Sequence, residues 1–327
     1  MTTLHLSDWV AAAFSFPGGT HTGRWLGMLS FAANHYFTAL DPFWFKLTNL
    51  VIHLVNGCLV FLMLRALLAL RRECEIVGAA PLRFNDAFAA VAIAGLWLVL
   101  PINLTAVLYV SQRLESLSSV FVFLGLAWYL HARLRFWRGE GGTIGLWLSL
   151  LVCTGVGVLV KESAVMLPLY AACAEFVITR GRDRDGRPNR AIYTLYTVLL
   201  VIPLLAGLIW LATWLFGPST FARPFDTWQR LLSETRVWID YIRWTLAPSL
   251  DALSLYHDDI QISRGLLDPP ATFFALAALI ALAAGAWWQR TRRPLFTLGI
   301  AWFVCGQLLT GTIIPLMLAF EHRNYFP

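Results

Sequence analysis

The sequence predicts an all-α fold: a polytopic transmembrane helical bundle of about eight spans, with interfacial helices on its outer face. Three observations carry that expectation. The chain is 58% hydrophobic and only 13% charged, whereas a soluble domain carries about a quarter charged residues. Its apolar residues fall in long runs of the length a bilayer demands. The links between those runs alternate between strongly basic and charge-balanced.

The runs cover roughly 48–70, 86–104, 116–136, 144–161, 164–179, 191–216, 270–289 and 296–318. The fourth and fifth are short and parted only by Lys161-Glu162-Ser163, so they read either as two spans or as a re-entrant pair. Both readings return the chain to the same side. The whole of 1–327 reads as one transmembrane domain: an outer loop over 1–43, six spans over 48–216, a large outer loop over 217–269, two spans over 270–318 and an outer rim over 319–327. No internal repeat of fixed period and no secretory leader is evident.

Basic residues sort the loops. Arg71, Arg72 and Arg83 follow the first run, and Arg133, Arg135 and Arg138 follow the third. Five arginines fill "RGRDRDGRPNR", and three fill "QRTRRP". All four links fall on one side, which the positive-inside rule places in the cytoplasm. The net charge of +6 is therefore an orientation signal, and nucleic acid is not expected as a partner. The expected setting is a cell inner membrane, multi-pass, with basic loops inside and the remaining material periplasmic. Within "FARPFDTWQRLLSETRVWIDYIRWTLAP" the apolar and aromatic spacing predicts a helix lying along the membrane surface. The five cysteines show no paired spacing, and four lie in apolar runs, so buried inert thiols are expected rather than disulfides.

Charges at membrane depth are costly unless paired or facing water, which makes each a site candidate. Lys161-Glu162 either form the outer turn and face solvent, or set a cation and a carboxylate in an outward cavity. Arg113 and Glu115 in "YVSQRLESL" pose the same choice, because Glu115 also suits a helix N-terminus. In "LYHDDIQISRG", His257, Asp258 and Asp259 could chelate a divalent cation or supply a base, or could be a solvated turn. "FEHRNYF" joins Glu321, His322 and Arg323: a guanidinium can hold a phosphate oxygen, the carboxylate can orient it or accept a proton, and the imidazole can donate one. The competing reading is a charged cap on the last span. Asn49, His53 and Asn56 share a helical face and are expected to bond between helices.

Several stretches resemble a known family. "GRWLGMLSFAANHYFTALDPFWFKLTNLVIHLVNG", "LPINLTAVLYVSQRLESLSSVF", "LVKESAVMLPL", "RLLSETRVWIDYIRWTLAPS", "LSLYHDDIQISRGLLDPP" and "PLMLAFEHRNYFP" are similar, in order, to bacterial C-type membrane glycosyltransferases, in the branch related to the transmembrane and tetratricopeptide-repeat O-mannosyltransferases. The resemblance implies transfer of a sugar from a polyprenyl-phosphate donor to an acceptor hydroxyl, on a protein or a glycan, at the outer face. It implies that Arg24, Arg113, Lys161 and Arg323 bind donor, with His257 as a further substrate contact. Glu162, Glu321, His322 and Asp258 take orienting or proton-transfer roles, and a divalent cation, if used, falls to Asp258 and Asp259.

The departures are also specific. The family carries a further helix and an acidic catalytic loop ahead of the point matching Met1, and more helices beyond "EHRNYFP". On the resemblance, then, the principal base lies outside 1–327, and the chain reads as a core whose activity alone is open. Leu100 stands where the family has His, and Trp25 where it has Pro. Gln307, Thr310 and Met317 depart from its pattern in the last span. A transporter or flippase for a lipid-linked or anionic substrate, or a non-catalytic membrane scaffold, is the alternative expectation.

Overall fold

The computed structural model describes residues 5–16, 24–74, 84–215 (side chains to 209), 225–249, 253–254, 257, 260–311 and 317–326. Among these residues the regular structure is entirely helical, with no strand. Each predicted apolar run coincides with a helix or a bent helix pair. Five helices are long and apolar enough to cross a bilayer: Pro42–Glu73, Val110–Trp137, Glu162–Thr179, Arg190–Ile209 and Ala271–Gln289. A sixth candidate, Asp86–Val99 with Pro101–Leu108, is bent by 54°. The bend follows from Pro101, which bars its predecessor from helical geometry; Leu100 is extended at ψ 124°. Thr143–Val158 and Pro294–Leu308 are apolar but shorter. In Arg190–Ile209, mean hydropathy reaches 2.2 while only 17% of the span is buried. An apolar face of that extent needs lipid or another apolar partner around it.

The chain packs as two compact units. The first comprises Met1–Leu70 and Arg83–Leu167, with Phe326. Its elements are α1 (Leu6–Ala13), α2 (Trp25–Thr38), α3 (Pro42–Glu73), α4 (Asp86–Val99), the short α5 (Leu104–Leu108), α6 (Arg113–Trp137) and α7 (Thr143–Val158). The described part of the expected outer loop over 1–43 is thus largely helical, with α1 and α2 in contact through Trp9 and Tyr36 at 5.8 Å. α3, at 32 residues, is about 48 Å long, so it runs past the predicted span at both ends. Asn85 caps α4 by accepting from the Ala87 and Phe88 amides. α6 and α7 form a tight antiparallel pair. Their turn needs glycine at 142, where φ is +116° and a Cβ would lie 2.4 Å from the Ala132 carbonyl oxygen. Arg133 does not sit in a loop as expected: it is buried on α6, its guanidinium 5.4 Å from the Phe136 ring and 5.5 Å from that of Trp137.

The polar face of α3 meets its expected role. Asn49 donates to the carbonyls of Val107 and Tyr109, His53 bonds the Leu98 carbonyl, and Asn56 donates to the Ser116 carbonyl. All three are buried, so each bond satisfies a group that would otherwise cost free energy.

The second unit comprises Arg71–Leu82 and Pro168–Tyr325. The span Glu162–Thr179, whose first residues to Leu167 belong to the first unit, holds α8 (Leu167–Ala174) between a 3-10 turn and a π turn. It is followed by α9 (Arg190–Tyr196), α10 (Ile202–Leu215), α11 (Thr227–Leu246), α12 (Ala271–Gln289) and α13 (Pro294–Leu308). Asp226 and Gln229 close a reciprocal capping box at the start of α11, which fixes where that helix begins. α11 is the amphipathic helix the sequence predicts. One stripe, Arg230, Ser233, Glu234, Val237, Tyr241 and Trp244, is buried.

Candidate functional site

Two clusters of charged side chains stand out, one in each unit. In the first unit the break between α7 and the span beginning at Glu162 sets Lys161 in extended backbone, φ −157° and ψ 145°. Neighbouring side chains on extended backbone diverge, and these two reach different partners. Lys161 Nζ lies 2.6 Å from Glu115 Oε2, in the first turn of α6. Glu162 takes Arg24 in a fork: Nε at 3.1 and 3.0 Å from its two oxygens, Nη2 at 2.9 Å from Oε2. Arg24 precedes α2 in left-handed backbone, φ 50°, a conformation uncommon for a residue with a Cβ. Its guanidinium also lies 4.7 Å from the Phe16 ring. Two further contacts tie the same segment to α2 and α6: the Leu26 amide donates to the Leu159 carbonyl at 3.1 Å, and Ser118 donates to the Lys161 carbonyl at 3.4 Å.

The four side chains are only partly covered, at 23% exposure for Arg24, 27% for Glu162, 18% for Lys161 and 12% for Glu115. They keep donors in reserve. Among the described residues, Arg24 Nη1 has no hydrogen-bond partner and Lys161 Nζ has a single one. The guanidinium and the ammonium can therefore each take an anionic oxygen without giving up their carboxylates.

Arg113 is placed differently. It is fully buried, and its Nε donates to Asn49 Oδ1 at 2.7 Å, Nη1 to the Ser30 carbonyl at 3.1 Å and Nη2 to the Phe45 carbonyl at 2.9 Å. The rings of Phe31 and Phe45 lie 4.6 and 5.3 Å from it. This geometry ties α2, α3 and α6 together through a guanidinium that is itself fully buried.

In the second unit Glu321 is buried. Its Oε1 accepts from the Ser254 amide at 2.5 Å and pairs with His257 Nε2 at 3.2 Å. His257 stacks on Trp244 of α11, centroids 4.6 Å apart and 22° between planes. The imidazole beside Glu321 is thus His257, whereas the adjacent His322 lies against Phe320 at 5.1 Å. Arg323 donates to the carbonyls of Leu318 and Met317 at 2.9 and 2.7 Å and lies 5.2 Å from the Phe320 ring. Asp258 and Asp259 lie outside the described residues. Among those residues no group of three or more acidic, histidine or cysteine side chains converges as a metal would require.

Sequence reasoning missed the acid and base inside the α11 stripe. Arg230 donates to Glu234 Oε1 at 2.8 Å and to the Thr310 carbonyl at 2.7 Å. Glu234 Oε2 is buried with no hydrogen-bond partner among the described residues. Burial pushes its carboxyl up to about 7, with Arg230 and then Arg323 pulling the other way. The Tyr241 hydroxyl accepts from the Phe320 amide at 2.9 Å. Burial pushes it up to about 12, against the opposing pull of Arg323. Gln307 donates to Asn324 Oδ1 at 2.9 Å. The detectable signal was a glutamate and an arginine on the apolar face of an amphipathic helix.

No protein-family model, curated protein or solved structure matches this chain.

Proposed function

We propose that this chain is a membrane glycosyltransferase core that takes a sugar from a polyprenyl-phosphate donor at the outer face of an inner membrane and passes it to an acceptor hydroxyl. The observation that carries the reading is the Arg24–Glu162 and Lys161–Glu115 cluster, whose two cations are held by carboxylates while keeping N–H groups for an anion. The resemblance of the "LVKESAVMLPL" and "GRWLGML" stretches to C-type glycosyltransferases supports it from the sequence.

In this reading the carrier phosphate docks on Arg24 and Lys161. As the bond from the sugar C1 to the phosphate oxygen breaks, the negative charge left on the phosphate is met by donors already in place, which is where such donors lower a barrier most. Glu162 and Glu115 fix the two cations. The new bond joins C1 to the acceptor oxygen, whose proton needs a base.

The test is reconstitution of the chain in liposomes with a radiolabelled polyprenyl-phosphate hexose and a hydroxyl-bearing acceptor peptide. Labelled peptide is the expected product, reduced at least tenfold by Lys161→Ala and by Arg24→Ala. Movement of the intact lipid-linked sugar across the bilayer with no labelled peptide would make the protein a flippase. Neither transfer nor movement, together with no binding of polyprenyl phosphate, would leave a scaffold.

A further inference from the structure

Two cysteines far apart in sequence meet in the second unit. Cys173 on α8 and Cys305 on α13 bring their Sγ atoms to 3.4 Å across 132 positions. The helices are held in that register by Trp302, whose indole N–H donates to the Tyr170 carbonyl at 2.9 Å. Both thiols are partly exposed, whereas Cys153 is buried. The expectation of burial therefore fails at this pair, as it does at exposed Cys58 and partly exposed Cys74. Its members lie in apolar helices, where water-soluble glutathione has poor access and lipid-soluble reagents have good access.

We propose that Cys173 and Cys305 form a dithiol modification site, oxidised to an intramolecular disulfide by lipid-phase quinones. The electron balance is simple. The two thiols give up two protons and two electrons as one S–S bond forms, and the quinone takes both to become the quinol. A sulfur separation of 3.4 Å requires an approach of little more than an ångström to reach the bonded length of about 2.05 Å. The product ties α8 to α13, so the redox state of the surrounding lipid sets whether these two helices can part.

The experiment uses the full chain in nanodiscs, with Cys58, Cys74 and Cys153 replaced by alanine. A fully substituted benzoquinone serves as oxidant, because it accepts electrons but cannot add to thiols. After denaturation, maleimide adducts are counted by intact mass. Two adducts per chain before oxidation and none after it, with two restored by dithiothreitol, is the expected result. A cross-linked Cys173–Cys305 peptide should accompany the loss. In the further variant Cys173→Ala, the remaining thiol should keep its single adduct throughout. Phenylarsine oxide, which bridges only paired thiols, should protect the first protein and not the second. Two adducts surviving both the quinone and the arsenical would overturn the proposal, as would oxidation that yields only covalent dimers.

Discussion

Arg113→Ala is the substitution that separates support from ligand binding most sharply. The arginine is fully buried and donates to Asn49 Oδ1 and to the carbonyls of Ser30 and Phe45. Its removal strands the buried Asn49 Oδ1, at about 1–3 kcal/mol, and takes a bond worth about 0.5–1.5 kcal/mol from each of the Phe45 carbonyl and the part-buried Ser30 carbonyl. It also forfeits the contacts with Phe31 and Phe45. Because neighbouring losses are not additive, the net cost should be on the order of 4 kcal/mol. That is a large part of the ~5–15 kcal/mol by which a protein is stable. At roughly 2–4 °C per kcal/mol for a large domain, the apparent Tm should fall by about 10 °C. Arg113→Lys keeps the charge but not the planar fork, so it should recover no more than about half of the loss. The assay is thermal unfolding in detergent, followed by fluorescence-detected size exclusion at one heating rate. An Arg113→Ala protein that melts within about 2 °C of the parent, yet no longer binds polyprenyl phosphate, would refute the reasoning and make Arg113 a ligand contact.

Three further outcomes follow from the same geometry. Glu234, held at about 7 against an ordinary 4.5, favours folding in its neutral form. That contribution, roughly 3 kcal/mol, is complete below about pH 4.5 and lost as pH rises through about 7. Glu234→Gln, which still offers Arg230 an acceptor, should raise Tm at pH 8 and flatten the decline in Tm between pH 5 and 8; an unchanged pH profile would contradict this. Gly311→Ala should destabilise by about 1–3 kcal/mol, since a Cβ there would lie 2.6 Å from Trp238 Nε1 and 3.0 Å from the Gln307 carbonyl oxygen; a thermal melt reads the loss directly, and an unchanged Tm would show that the neighbours give way. Breaking the Arg24–Glu162 pair by Glu162→Gln should cost little stability, about 1 kcal/mol for a pair this accessible, while sugar transfer drops at least tenfold; a fall in Tm with no loss of transfer would make the pair purely structural.

What could be read from the sequence divides along physical lines. The apolar helices were legible because a bilayer sets their length and bars interruption, and every predicted run meets a helix. The bonding face of Asn49, His53 and Asn56 was legible because polar groups three and four apart on an apolar helix need partners. α1 and α2 were not seen, being short and rich in residues that suit an interface as well as a helix. The pairings were hidden for a different reason. Arg24 and Glu162 are 138 positions apart, and His257 and Glu321 are 64 apart; nothing local says which of several charges a given carboxylate will meet. Adjacency even misled, since Glu321 pairs with His257 while neighbouring His322 rests on Phe320. Arg113 looked like a site cation because its depth was evident, whereas the acceptors around it come from elements 64 to 83 positions away.

In the proposed function Arg24 and Lys161 receive a lipid-borne phosphate. The most direct measurement compares polyprenyl phosphate with uncharged polyprenol of equal length, each titrated into the purified chain and read by native mass spectrometry. Binding of the phosphate should be saturable and at least tenfold tighter than that of the alcohol, with the difference abolished in Lys161→Ala and Arg24→Ala. Equal affinity for the two lipids, or a preference that survives both substitutions, would contradict it.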